Sequence, residues 1–399
     1  MLRDVFPTRR FAWYTLANGS AFVAAWMQRL ALGWIIWQLT HSGFWLGLLS
    51  ICDLGPALLM GPVGGVLGDR GHPERVIAWG QALTVATTIA TGLAVWLGVP
   101  PWILLVLAAI GGSAVSIQDS ARAAVVTGFV PPEQLGSAIA LSAVVVNLAR
   151  FVGPALAGVI ATFAGVVTVF PIAAVTGVAL VVFAVRVRPE RVARTEHSPF
   201  IRDIAQALTY VGRHRLIGLV LLNFLLACLL ARPVYELVPG LANGLFHRDI
   251  AGLSAMTTAI GLGAVAAGIL MMRLRATDRL AGISCLGTIV GGASALALPE
   301  MPAFAAALVM AAGLGFGISM CGIASQIVVQ SEAREDVRSR VLSLWGVIIR
   351  AAPALGALVL GALADRTGFR IPLLLAGSAA LLAGAGCWWA LRRPSATAA

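Results

Sequence analysis

Gly65-Val66-Leu67-Gly68-Asp69-Arg70-Gly71, closed by Arg75, joins two long apolar runs through a short charged turn. Gly64 and Gly65 leave room for a neighbouring helix at the end of the first run. An acid followed by bases then stands where a buried segment meets water. Such a turn belongs between helices that cross a bilayer, and the remainder of the chain agrees.

At 59% hydrophobic and 11% charged residues over 399 positions, the composition excludes an ordinary soluble globule and points to an integral membrane protein. The formal charge of +11 does not imply a nucleic-acid partner, because the bases are spread along the chain instead of gathered on one segment. Every one of the 28 basic residues is arginine. Cys52, Cys228, Cys285, Cys321 and Cys387 lie inside apolar runs without C-x-x-C spacing, so neither a disulfide framework nor a metal site is expected. H-E-x-x-H, G-x-S-x-G and Walker sequences are absent, which argues against an enzyme, a cofactor site or an ATP-driven engine within this chain. Arg3, Arg9 and Arg10 precede a run too long and too rich in Trp for a cleaved signal segment, and that run reads as the first membrane span.

A bilayer crossing needs roughly 20 apolar residues. Twelve candidate spans meet this, numbered 1 to 12 in chain order: 12–39, 44–68, 76–98, 101–126, 135–163, 166–186, 215–242, 250–272, 280–298, 302–328, 338–363 and 371–391. Helix is the expected state, since an isolated strand leaves its backbone unsatisfied in lipid. With both termini cytoplasmic, 21 Arg fall in inner segments or at the inner ends of spans, three (Arg248, Arg366, Arg370) outside and four near mid-span, the positive-inside asymmetry. Trp34, Trp37, Trp45, Trp96 and Trp102 then mark the outer interface, and Trp13, Trp79, Trp388 and Trp389 the inner one.

Residues 187–214 form the one long connection. Ser198-Pro199 suits a helix start, and Ile201, Ile204, Ala205, Leu208 and Val211 share one face of the helix that follows. That helix is expected to lie on the inner membrane surface and tether two halves, 1–186 and 215–399. An offset of 203 residues carries Arg29 onto Arg232, Gly65 onto Gly268 and Arg70 onto Arg273. A second match, at an offset of 200, sets Arg150 against Arg350, with Pro154-Ala155-Leu156 beside Pro353-Ala354-Leu355. The expected architecture is therefore all-α, with twelve transmembrane helices in two pseudo-symmetric six-helix bundles. Asp69 maps onto Met272, so the second copy of the hinge has lost its acid. Gly361 to Arg366 looks like the hinge but follows span 11 on the outer side, and reads as a likeness of composition.

The Gly65–Arg75 turn resembles the G-x-L-x-D-R-x-G-R-R loop of the major facilitator superfamily, with Gly65, Leu67, Asp69 and Arg70 matching and His72, Pro73 and Glu74 departing from it. Gln28 to Trp34, Leu39 to Ser42, Asp119-Ser120-Ala121-Arg122, Val130 to Leu135, Asn147 to Arg150, Gly153 to Gly158, Arg338 to Leu344 and Gly361 to Gly368 are similar in sequence and order to the drug and siderophore exporter branch that contains the enterobactin exporter and the macrolide efflux proteins. Where that branch has D-x-P-A-R at the end of span 4, Gln118 replaces the Asp and Ser120 the Pro. The resemblance implies secondary active export, commonly proton-driven, of amphipathic molecules such as drugs, macrolides or siderophores, in a bacterial cytoplasmic (inner) membrane. A monomer is expected, with a small amphipathic or anionic substrate, protons and the lipid bilayer as partners.

Beside that resemblance, the residues supply candidates of their own. Arg29, Arg150, Arg232 and Arg350 fall near mid-span, where a charge costs at least about 2.5 to 3.5 kcal/mol on insertion scales. Either they face a wet cavity and hold substrate, or they are structural, with Arg29 paired to Asp53 and Arg232 to Glu236. Trp26, Gln28, Asn147, Asn223, Tyr235 and Gln326 are candidate cavity residues, each open to a plain packing role. Asp53 and Glu236 are the candidate proton carriers, near the helix-breaking pairs Gly55-Pro56 and Arg232-Pro233. By resemblance, Gly65, Asp69, Arg70, Asp119 and Arg122 form a cytoplasmic gate, with Asp69 pairing to Arg122. Gly153, Pro154 and Gly158 resemble the antiporter motif, expected to pack span 5 on the glycines of span 8. A lipid or lysophospholipid flippase on the same fold stands as the alternative function, and a non-transporting membrane sensor as a third.

Overall fold

The computed structural model describes residues 9–69, 72–131, 134–186, 200–274 and 279–393. They are helical almost throughout, with no strand among them. Eleven helices are long and apolar enough to cross a membrane. Span 1, Arg9–Thr40, is the longest of the first half at 32 residues. It carries Asn18, Gln28 and Arg29 and is not among those eleven.

Most turns obey local chemistry. Span 3 ends at Trp96, and Pro100 and Pro101 begin span 4, Pro101–Thr127, where a missing N–H costs nothing. Spans 5 (Leu135–Ala164) and 11 (Glu335–Thr367) both stop at a glycine in the left-handed region, Gly165 at φ 85° and Gly368 at φ 75°. Those two glycines are again 203 residues apart.

Two expected spans are broken. Span 2 is a pair of helices, Gly43–Leu54 and Ala57–Asp69, parted at Gly55-Pro56, where Pro56 has no N–H to continue the ladder. Span 7 begins as Arg215–Leu230 and then loosens. Arg232 N–H reaches back five residues to the Ala227 carbonyl at 3.0 Å, followed by the short turns Pro233–Glu236 and Val238–Gly240 and a π-helical Leu241–Leu245.

By its contacts the chain divides into two compact units. One comprises 1–41, 51–197 and 250–254; the other comprises 42–50, 198–249 and 255–399. In the first unit span 1 packs on spans 5 and 6, span 3 on spans 4 and 6, and the second half of span 2 on span 4. In the second unit span 7 packs on spans 11 and 12, and span 9 on spans 10 and 12, while Gly263 of span 8 lies against Ala312 of span 10. Each neighbour pair of the first unit thus recurs six spans later. The apolar core of the first unit gathers Phe11, Tyr14, Ile77, Val125, Phe129 and Leu180, and a core of the second gathers Ile217, Leu221, Phe224, Val341, Leu344 and Ile348. The connecting helix, Phe200–Arg213, packs on spans 7 and 11.

Candidate functional site

In the first unit the residues predicted from sequence gather around Trp26. Arg29 Nη1 pairs with Asp53 Oδ2 at 2.7 Å, with 25% and 34% of the two side chains exposed. The guanidinium carbons of Arg29 and Arg150 stand 5.6 and 5.8 Å from the Trp26 ring centre, within cation–π range. Gly153 makes this possible. A Cβ there would stand 2.5 Å from Trp26 Cβ and 2.9 Å from the Val23 carbonyl, so span 5 reaches span 1 only because residue 153 has no side chain. Pro154, inside span 5, accepts a hydrogen bond on its carbonyl from Ser254 Oγ at 2.9 Å, and a Cβ on Gly158 would strike the same serine.

The expectation that Gly153 meets span 8 is therefore corrected: Gly153 meets span 1, and only Gly158 faces the start of span 8. Gly263 serves span 10 instead, and Gly268 has open space beside it. Helix periodicity explains the split, since positions 153 and 158 are five apart and cannot share one face fully.

A second polar group lies on spans 3 and 4. Arg122 Nη2 donates to Gln118 Oε1 at 2.9 Å and to Gln81 Oε1 at 3.2 Å. Its Nη1 is 3.5 Å from Asp119 Oδ1, and its guanidinium lies 4.6 Å over the Phe22 ring. Gln118 Nε2 donates to Thr84 Oγ1 at 3.2 Å. The Thr88 hydroxyl lies 2.6 Å from Gln28 Oε1 and 2.8 Å from the Thr84 carbonyl. Polar contacts thus run from the Asp119–Arg122 pair up to Gln28, next to Arg29. Gln81 and Gln118 were missed as partners of Arg122. The i, i+4 spacing of Gln118 and Arg122 was the available signal. Of the gate, Gly65 and Asp69 fall in the helix Ala57–Asp69 with their surroundings outside the described residues. Arg70 lies outside the described residues altogether, and so does any pairing of Asp69 with Arg122.

The second unit treats its candidates differently. Arg232 sits at the break of span 7 with its Nε buried and without a hydrogen-bond partner among the described residues. Glu236 Oε2 accepts from Ser50 Oγ at 3.3 Å. Tyr235, Gln326 and Arg350 are half-buried on spans 7, 10 and 11. Asn223 is a correction. It is fully buried, donating to Ser284 Oγ at 3.1 Å and Cys321 Sγ at 3.5 Å, and so packs among helices instead of lining an opening. Its Oδ1 has no hydrogen-bond partner among the described residues. Phe224 of span 7 and Trp345 of span 11 stack at 5.0 Å, an aromatic pair that the sequence reading did not anticipate.

The packing also re-registers the repeat. A Cβ on Gly356 would strike the Leu229 carbonyl and Pro233. Gly356 on Leu229 therefore copies Gly153 on Trp26, an offset of 203 on both sides. Gly158 maps likewise onto Gly361. On that register Arg350 corresponds to Asn147, and Arg150 to Pro353. The expected equivalence of Arg150 with Arg350, drawn from the Pro-Ala-Leu likeness, is one helical turn out of step with the packing. Asn147 itself is half-buried on span 5, one turn before Arg150.

Comparison with known proteins agrees with this architecture. A family model described as "Transmembrane secretion effector" matches residues 5–399. Macrolide efflux protein A of Streptococcus pyogenes is 22% identical over 387 residues, covering 92% of this chain and 93% of that protein. Enterobactin exporter EntS of Salmonella choleraesuis (strain SC-B67) is 27% identical over 357 residues, covering 86% and 84%. Among solved structures, a bacterial homolog of the human lysosomal transporter Spinster superimposes with a TM-score of 0.75 at 13% identity, covering 96% and 98% of the two chains. A twelve-span fold with repeated packing, mid-span arginines on aromatic rings and a family match from end to end leave one assignment: the chain is a multi-pass membrane transporter, not an enzyme, and belongs to the transmembrane secretion effector family of the major facilitator superfamily.

Proposed function

We propose that the protein is a proton-coupled exporter of small amphipathic or anionic molecules, working by alternating access as a monomer in a bacterial inner membrane with both termini in the cytoplasm. The observation that carries this reading is the Arg29–Asp53 pair at 2.7 Å beside Trp26 and Arg150. Two guanidiniums, one carboxylate and an indole face give a mid-span group with surplus positive charge and a flat apolar surface. A substrate with an acidic or strongly polar head and an apolar body suits both. An acidic head bound from the cytoplasm would be balanced, together with ionised Asp53, by the two guanidiniums. A proton taken up by Asp53 from outside once the head has left, and given up inside on the return, would open and close the Arg29 pair and make the exchange one proton in for one substrate out. Glu236, beside the loosened turn of span 7, is the second carboxylate that proton exchange could use.

The relatives named as a macrolide efflux protein and an enterobactin exporter support export as the direction. The excess of Arg in the loops assigned to the inner side supports the orientation. The test is proton-gradient-driven uptake into inverted vesicles of a dye, a catecholate siderophore and a lysophospholipid. Uptake of the first two that stops with an uncoupler is the expected result. Movement of the lysophospholipid alone would favour a flippase, and movement of none would favour a sensor.

A further inference from the structure

The segment Gly361-Ala362-Leu363-Ala364-Asp365-Arg366 echoes the hinge sequence but closes span 11, and the function proposed so far leaves it idle. Its surroundings are specific. Ser42 Oγ donates to Asp365 Oδ2 at 2.6 Å, Gly43 N–H donates to Asp365 Oδ1 at 2.6 Å, and Phe44 N–H donates to Asp365 Oδ2 at 3.2 Å. Trp45 N–H, the next in line, donates to Ser42 Oγ at 3.4 Å. The opening N–H groups of the helix Gly43–Leu54 have no intrahelical partner. Here they are taken by a carboxylate more than 300 residues away along the chain, with a charge that suits the positive end of a helix.

Packing brings the two backbones together at the same place. A Cβ on Gly43 would stand 2.8 Å from the Gly361 carbonyl, one on Gly361 would strike the Gly43 carbonyl, and one on Gly47 would strike Leu358. Within this unit the segment 42–50 is held at its far end as well, by the Ser50 contact to Glu236. The internal repeat supplies a control. At the offset of 203, Gly361 corresponds to Gly158 and Asp365 to Thr162. Thr162 turns its hydroxyl onto its own helix, 2.8 Å from the Gly158 carbonyl. Only the second copy carries a carboxylate there.

We propose that Asp365 is a latch residue. Its carboxylate caps the start of span 2 and holds that end of the transport path shut until the cap is released. This rests on the alternating-access reading above, which on the proposed orientation makes it the outer latch. Glycines at 43, 47 and 361 set the approach that lets so short a side chain span the gap, and Asp365 supplies the reversible bond.

The test uses the full chain in membranes with its five cysteines replaced and a single cysteine at Leu46, which is 1% exposed on the held segment. Labelling by a membrane-impermeant maleimide is followed with time. Asp365→Ala is expected to speed labelling about tenfold, the size of losing a strong helix cap, and Asp365→Asn, which keeps one acceptor and the shape, by a smaller factor. Thr162→Ala is expected to label like the parent. In a separate protein, Ser42→Cys with Asp365→Cys is expected to form a disulfide under mild oxidant. Parental labelling rates in both Asp365 variants, or failure of the cysteine pair to cross-link in intact protein, would overturn the latch. Labelling reads the latch whether or not a substrate moves. A wild-type protein that transports nothing but still shows the Asp365 effect would sink the transport reading alone.

Discussion

In the first unit span 1 runs unbroken through Arg29, whereas in the second the equivalent span 7 stops at Leu230, two residues before Arg232. The difference extends to the neighbouring spans. Gln81, Gln118 and Arg122 of spans 3 and 4 map at the same offset onto Ser284, Cys321 and Ser325 of spans 9 and 10. The first group binds a buried guanidinium. The second is neutral: Ser284 and Thr288 hydroxyls lie 3.5 and 3.3 Å from Cys321 Sγ, and Trp345 Nε1 donates to Ser325 Oγ at 3.0 Å. Backbone contacts such as Gly153 on Trp26 and Gly356 on Leu229 are the same in both units, while the polar groups diverge. Duplication has kept the packing and let the charges change. Arg122 and Arg150 of the first unit also bury an Nε, so what sets the second unit apart is that its buried Arg232 Nε lies beside a loosened helix.

The shared packing can be broken most severely. Gly153→Leu and Gly356→Leu each force a side chain into backbone atoms of the neighbouring span, and each is expected to cost about 3 kcal/mol, the upper end for overpacking. Thermal unfolding in detergent that falls for one variant and not the other would show the two contacts to be unequal. Next is the buried polar group. Gln118→Leu removes an acceptor from a charged donor and is expected to cost about 2 kcal/mol, against about 1 kcal/mol for Cys321→Ala, which removes neutral partners only. Equal losses by the same measurement would erase the distinction between a charged and a neutral group. The smallest effect on stability is expected at the carboxylates. Asp53→Asn should cost about 1 kcal/mol, well below the figure for a fully buried pair because a quarter to a third of each side chain meets solvent. Glu236→Gln keeps an acceptor for Ser50 and is expected to change stability less, yet both variants should abolish uncoupler-sensitive transport. A Glu236→Gln protein that transports normally would leave Asp53 as the carrier.

The architecture was legible because length and hydropathy alone specify a bilayer-spanning helix, and because Arg29 and Arg232 fix the repeat at one offset. The Arg29–Asp53 pair was legible too, since a mid-span charge calls for a nearby partner and Asp53 is the carboxylate on the adjoining span. Partners supplied by amides were not. Gln81 and Gln118 have no charge to announce them, and any buried glutamine reads equally well as packing. The register of spans 5 and 11 was misread through a three-residue likeness, Pro-Ala-Leu, that sits one turn away from the glycines that make the contacts. Asn223 was misplaced because its sequence position gives the span but not the face. Asp365 was passed over for the opposite reason: its surroundings resemble the hinge so closely that the resemblance hid a bond made through space.

Span 2's first half is a rod of 12 residues, Gly43–Leu54, bounded by His41 in a left-handed turn at one end and by Gly55-Pro56 at the other. Asp365 grips its start and Glu236 grips Ser50 two turns further on, both within the second unit, so one rod of about 18 Å carries both fastenings. A tilt of about 10° about the glycine-proline break, which moves Ser50 by about 1 Å, lifts the start by about 3 Å, further than a hydrogen bond stretches. Mechanical linkage between the two carboxylate contacts therefore needs no relay of side chains.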